Sequence, residues 1–147
     1  MFVMIRIILG VLFIISGGEK VLSPMENFLY VIDGYKVIPT GFEPAVALVF
    51  PWVELLVGVF ILLGLWLRQA FVVLFLMSVS LAGIVSQAIV RQLPLDSCGC
   101  FGELIHIPLR GVLLVDLSVI VLTLLCLANI KRTSLFSIDG LYARAGS

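Results

Sequence analysis

The chain has 147 residues, 62% of them hydrophobic and only 12% charged, and its formal net charge is zero. A water-soluble domain carries about 45–50% apolar and about 25% charged residues, so this composition excludes both a soluble globule and a disordered chain. With no basic field to grip phosphates, nucleic acid is not an expected partner. At roughly 20 apolar residues per crossing, the length holds about four membrane spans and little else.

The first apolar run predicts a span over residues 4–22. Arg6 lies near its start, where a long side chain can snorkel to the headgroups. The stretch Ser16-Gly17-Gly18-Glu19-Lys20 offers no A-x-A-like cleavage site, so the span is expected to be retained rather than removed as a signal peptide. The string Ser23-Pro24-Met25-Glu26 then has the form of a capping box. Met25, Phe28, Leu29 and Ile32 follow at helical spacing, and Asp33-Gly34 is a stop signal. These features predict an amphipathic helix over 24–33 lying in the membrane surface, its four apolar residues facing down. Tyr30, Tyr35 and Phe42 suit the same interfacial depth.

A second span is expected over 45–66, carrying one charge, Glu54, and a kink at Pro51. The third, over 71–90, is uncharged, and Ser78, Ala82 and Ser86 place small side chains on one face. The fourth, over 112–130, carries Asp116. Backbone groups in lipid must be satisfied internally, so each span is a helix. The expected architecture is all-α: an integral membrane four-helix bundle over 1–130, with a short interfacial helix in its first outer loop. A polar tail over 131–147 follows, beginning Lys131-Arg132.

Four spans put both termini on one side. Arg6, Arg68, Lys131, Arg132 and Arg144 on that side outnumber Lys20, Lys36, Arg91 and Arg110 on the other by one. The positive-inside rule therefore makes the termini cytoplasmic. The loop over 91–111 then faces outward, and an oxidising compartment is where a close cysteine pair forms a disulfide.

That loop holds Cys98-Gly99-Cys100. Two extended residue steps cover about 6.6–7.2 Å, while a disulfide wants Cα atoms about 4.4–6.8 Å apart. Gly99 permits the bend that closure requires. So small a ring is strained, more reducible than a structural staple, and removes little entropy from the unfolded chain. Three uses are open to the pair: a redox-active dithiol, a soft-metal site (copper or zinc) with His106 as a third ligand, or a turn with two inert thiols. Arg91, His106 or Lys20 can supply the positive charge that lowers a thiol pKa. Cys126, inside the fourth span, reads as a small buried apolar residue.

Glu54 lies near the middle of its span, where a carboxylate must be paired, neutralised or hydrated. Asp116 lies nearer a span end and can reach the interface. Lys20 is the candidate partner for either. Glu54 and Asp116 are expected to accept or relay protons, or to hold the helices in register.

These residues resemble the MauE family of methylamine-utilisation membrane proteins, grouped with the wider DoxX-like four-helix membrane proteins. The resemblance covers residues 6–130. It rests on Arg6, Gly10-Val11-Leu12-Phe13-Ile14-Ile15-Ser16-Gly17 and Lys20, then Tyr35-Lys36-Val37-Ile38-Pro39. It continues with Pro51-Trp52-Val53-Glu54, Gly58 and Gly64, and closes with Cys98-Gly99-Cys100-Phe101-Gly102. The resemblance implies a bacterial inner-membrane protein linked to maturation of methylamine dehydrogenase, whose small subunit is rich in disulfides. It also implies a thioredoxin-like partner and a disulfide-containing extracytoplasmic client. The expected function is therefore thiol–disulfide exchange by Cys98 and Cys100, with Glu54, Asp116, Lys20, His106 and Arg91 in support. If the chain is an enzyme, it is a thiol–disulfide oxidoreductase. Rival readings are a non-enzymatic assembly factor, a copper or zinc handler, and a DoxX-type quinone-linked oxidoreductase. No bound cofactor is expected outside the quinone reading.

Overall fold

A computed structural model describes residues 1–35, 39, 41–92 and 109–133. Among these, all regular structure is helical: α1 (Phe2–Leu22), α2 (Met25–Tyr35), α3 (Glu43–Leu63), α4 (Leu67–Val90), α5 (Leu109–Ala128) and α6 (Ile130–Thr133). Four of these, α1, α3, α4 and α5, are long and apolar enough to cross a membrane. The side chains that they turn outward, such as Ile8, Ile15, Leu56, Leu76 and Leu114, are apolar, as a lipid-facing surface requires. The protein is an all-α membrane bundle.

Several element ends differ from those expected, and each difference has a local cause. The second apolar run continues to residue 66, but α3 stops at Leu63. Gly64 takes the left-handed conformation (φ 74°) and donates its N–H to the Phe60 carbonyl at 2.9 Å. Leu65 and Trp66 therefore form the turn, and Trp66, itself at φ 44°, is exposed. α4 begins at Leu67 rather than 71, because Arg68 and Gln69 sit on exposed positions of its first turn. α5 occupies Leu109–Ala128 rather than 112–130. Asn129 then turns the chain into α6, the first part of the segment expected to be a plain polar tail.

The helix of the first loop exists, but Gly34 does not end it. The helix runs to Tyr35 because Ile32 and Tyr35 are buried, and tertiary burial outweighs a single glycine. Its inner face keeps Phe28, Leu29 and Ile32 as expected, but Met25 at its start is exposed, and Tyr35 continues the stripe and packs with Val85, Ala88 and Val112. α2 thus covers one end of the bundle instead of only lying in the membrane surface.

α1 packs most extensively against α3, and α4 against α5. The first pair is antiparallel and in backbone contact. A Cβ on Gly17 would lie 2.6 Å from the Leu55 nitrogen, and one on Gly58 would lie 2.8 Å from the Ile14 nitrogen. Only a missing side chain allows that approach. α3 continues through Pro51, whose ring nitrogen cannot donate to the Ala47 carbonyl one turn earlier. The main core joins Leu9, Phe13, Val57, Ile61, Phe71, Leu74 and Val119 from all four spans. The buried face of α4 includes Ser78 and Ala82, with Ser86 half-buried and donating its hydroxyl to the Ala82 carbonyl at 2.6 Å.

Candidate functional site

Among the described residues, three of the four buried charged side chains, Lys20, Glu54 and Asp116, gather at the end covered by α2. Lys20 is in the last turn of α1, and the α1–α3 contact around Gly17 brings it beside Glu54. The Lys20 Nζ lies 2.7 Å from Glu54 Oε2. Ser16, one turn before Lys20, donates its hydroxyl to Glu54 Oε1 at 2.7 Å and accepts from Lys20 Nζ at 3.0 Å. Both Glu54 oxygens are thus engaged, and Ser16, Lys20 and Glu54 are only 2%, 7% and 3% exposed. Pairing of this kind is what a buried ion requires, since an isolated one costs several kcal/mol.

Two aromatic rings close the pair from above. Phe28 of α2 and Phe50 of α3 stack with centroids 6.2 Å apart and planes inclined at 29°. The Lys20 ammonium lies 5.9 Å from the Phe28 centroid and 6.0 Å from that of Phe50. Ring faces at this range attract a cation and exclude water.

Asp116 approaches from α5 and lies within electrostatic range of both Lys20 and Glu54. It is 8% exposed, and its Oδ2 has no hydrogen-bond partner among the described residues. Of the two positions open to it, at the interface or beside Lys20, Asp116 takes the buried one. Tyr35, on α2, faces the same cluster. Its hydroxyl is pushed up to about 12, first by burial and then by Asp116, which is ionised at the alkaline pH where the phenol titrates.

The structure therefore brings together Lys20, Glu54 and Asp116, and assigns Lys20 to Glu54. Ser16, Phe28, Phe50 and Tyr35 join them, none of which was among the expected site residues. The usable signals were Ser16 one turn before Lys20, and Tyr35 one turn beyond Ile32 on the inner stripe of α2. Arg91 is exposed at the end of α4, where its guanidinium meets the Gln87 side-chain oxygen at 2.9–3.2 Å once the amide is oriented to satisfy both groups. Cys98, Cys100 and His106 lie outside the described residues. The described chain reaches Gln92 and resumes at Leu109, and α4 and α5 meet near these ends where Tyr35 packs on Ala88 and Val112. Among the described residues, no group of three or more His, Cys, Asp or Glu is placed to hold a metal.

The opposite end is built differently. Arg6 does not snorkel: it is 3% exposed, and its guanidinium donates to the Thr133 carbonyl at 3.1 Å. Thr133 is itself buried, its hydroxyl donating to the Asn129 and Cys126 carbonyls at 3.0 and 3.2 Å. Cys126 is a buried free thiol packed in the main core.

No curated protein and no solved structure matches the chain. The model of one family, described as methylamine utilisation protein MauE, matches residues 1–129. With nearly all of its membrane bundle inside that match, the chain belongs to the MauE family.

Proposed function

We propose that this multi-pass membrane protein supports thiol–disulfide exchange during maturation of an extracytoplasmic protein of methylamine metabolism, with Cys98 and Cys100 as the exchanging pair. The observation that carries the proposal is the Cys98-Gly99-Cys100 string in the sequence between α4 and α5, two helices whose facing ends pack with Tyr35 at the polar end of the bundle. The family description supplies the metabolic setting.

The exchange balances as follows. A client thiolate attacks one sulfur of the Cys98–Cys100 disulfide, forming a mixed disulfide and releasing the other sulfur as a thiolate that takes up a proton. A second client thiolate attacks the mixed bond. The client gains a disulfide and loses two electrons, and Cys98 and Cys100 become thiols. A thioredoxin-like partner, in its oxidised form, takes those two electrons by the same chemistry. Run backwards, the steps reduce a client. The proposed setting is the bacterial inner membrane with cytoplasmic termini and an outward-facing pair, in keeping with the cation distribution and with where disulfides persist. The Lys20–Glu54 pair holds α1 and α3 in register at that end.

Differential alkylation in whole cells tests the proposal. Cys98 and Cys100 should label as a reversibly oxidised pair accessible to an impermeant reagent. C100S should trap a mixed disulfide with an extracytoplasmic protein, and the double serine variant should abolish client maturation. Normal maturation by the double variant would leave an assembly factor only. Stoichiometric metal lost on alkylation, or oxidation of the pair that depends on quinone, would replace the proposal with one of the other chemistries.

A further inference from the structure

Among the described residues, the buried cluster at the polar end holds two carboxyl side chains and one ammonium: Glu54, Asp116 and Lys20. Lys20 and Glu54 meet at 2.7 Å and share Ser16, which makes that pair neutral and leaves both Glu54 oxygens occupied. Asp116 faces them with one oxygen lacking a hydrogen-bond partner among the described residues, while 92% of its surface is buried (8% exposed). A second negative charge in that position would have no counter-charge among the described residues, and a lone carboxylate away from water is neutralised instead of being left ionised.

Among the described residues, the groups around Asp116 supply no other cation. α1 contributes Lys20, already held; α3 contributes Glu54, of like charge; α2 contributes Tyr35, a neutral phenol. The inner face of α4 there is Ser78, Ala82, Val85 and Ala88, with Arg91 exposed at its end, and Arg110 of α5 is exposed as well. We propose that Asp116 is a proton-binding site: in the resting bundle it is a carboxylic acid, and its proton is the second positive charge that the three acidic and basic side chains require. Glu54 is thereby the permanent counter-ion of Lys20, and Asp116 alone is the carboxyl able to load and release a proton. The inference goes beyond the exchange reading and uses none of its cysteines.

Infrared spectroscopy of the full chain in lipid nanodiscs at neutral pH tests it, on the double Cys98/Cys100 serine variant as well as the unsubstituted protein. Both should show the carbonyl band of an un-ionised carboxylic acid. D116N should remove the band, and K20M should enlarge it by leaving both carboxyls without a cation. Asn is the near-isostere of the protonated acid, so D116N should unfold at nearly the same temperature as the parent, whereas E54Q should unfold well below it. Should D116N fail to assemble, isotopic labelling of aspartate carboxyls in the unsubstituted protein must still shift the band. Absence of the band, a band shifted by glutamate labelling, or a loss of stability in D116N equal to that in E54Q would overturn the proposal.

Discussion

Both ends of the bundle bury a cation, and they satisfy it in different ways. Lys20 faces a carboxylate, a hydroxyl and two aromatic rings. Arg6 faces a backbone carbonyl of Thr133, close to where α5 ends and α6 folds back. A carbonyl in a helical last turn carries a partial negative charge, so it attracts a cation without being an ion itself. The first arrangement is therefore vulnerable from both sides, since losing either partner strands a full charge. The second sets its arginine against a carbonyl that no side-chain substitution removes. Among the described contacts, the contrast is between two opposed charges at one end and a cation on a backbone carbonyl at the other.

The largest effect should come from breaking the ion pair once. K20M or E54Q alone should each lower stability by about 3–5 kcal/mol, and the double variant should recover much of that loss. Unfolding in mixed detergent micelles measures it; strict additivity would mean that the two groups do not interact. R6M should cost less, about 1.5–3 kcal/mol, the range for a hydrogen bond to a charged group. A cost equal to that of E54Q would erase the distinction between the ends. G17A should cost about 1–3 kcal/mol, because the added carbon meets the Leu55 backbone rather than a side chain that can swing aside. Restored stability on shrinking Leu55 instead would show that side-chain packing sets the approach.

The smallest effect is a pH dependence confined to the α2 end. Tyr35 holds its proton up to about pH 12 in the folded protein, above the ordinary phenol value. Between the two values the folded state binds more protons than the unfolded one, so stability falls as pH rises through that window and is complete below it. The tyrosinate absorbance that appears near pH 12 should vanish in Y35F, and Y35F should flatten the alkaline loss of stability. A Tyr35 that ionises near 10 would mean that α2 does not cover Asp116.

The four spans and the loop helix were legible because lipid leaves few options for long apolar runs, and because capping and spacing signals are local. The Lys20–Glu54 pair was nearly legible too: a mid-span carboxylate demands a cation at its own depth, and Lys20 was the candidate. What could not be read was rotation. Whether Asp116 looks inward, whether Tyr35 belongs to the interface or the core, and whether Arg6 turns to water or to Thr133 all depend on how each helix is turned about its axis. That turn is decided by packing such as Gly17 against Leu55, not by hydropathy. The fold-back at Asn129 escaped for a related reason, since Ile130 continues the apolar run and hides the turn. The cysteine pair rests on sequence and family alone.

The division of the bundle into two tightly packed couples, α1 with α3 and α4 with α5, has a mechanical consequence. Glycine contacts weld the first couple into a single block that carries both members of the ion pair, whereas Asp116 rides on the second. Sliding one block past the other would change the distance from Asp116 to Lys20 without bending a helix, so shear along that seam and electrical balance in the membrane interior are a single degree of freedom.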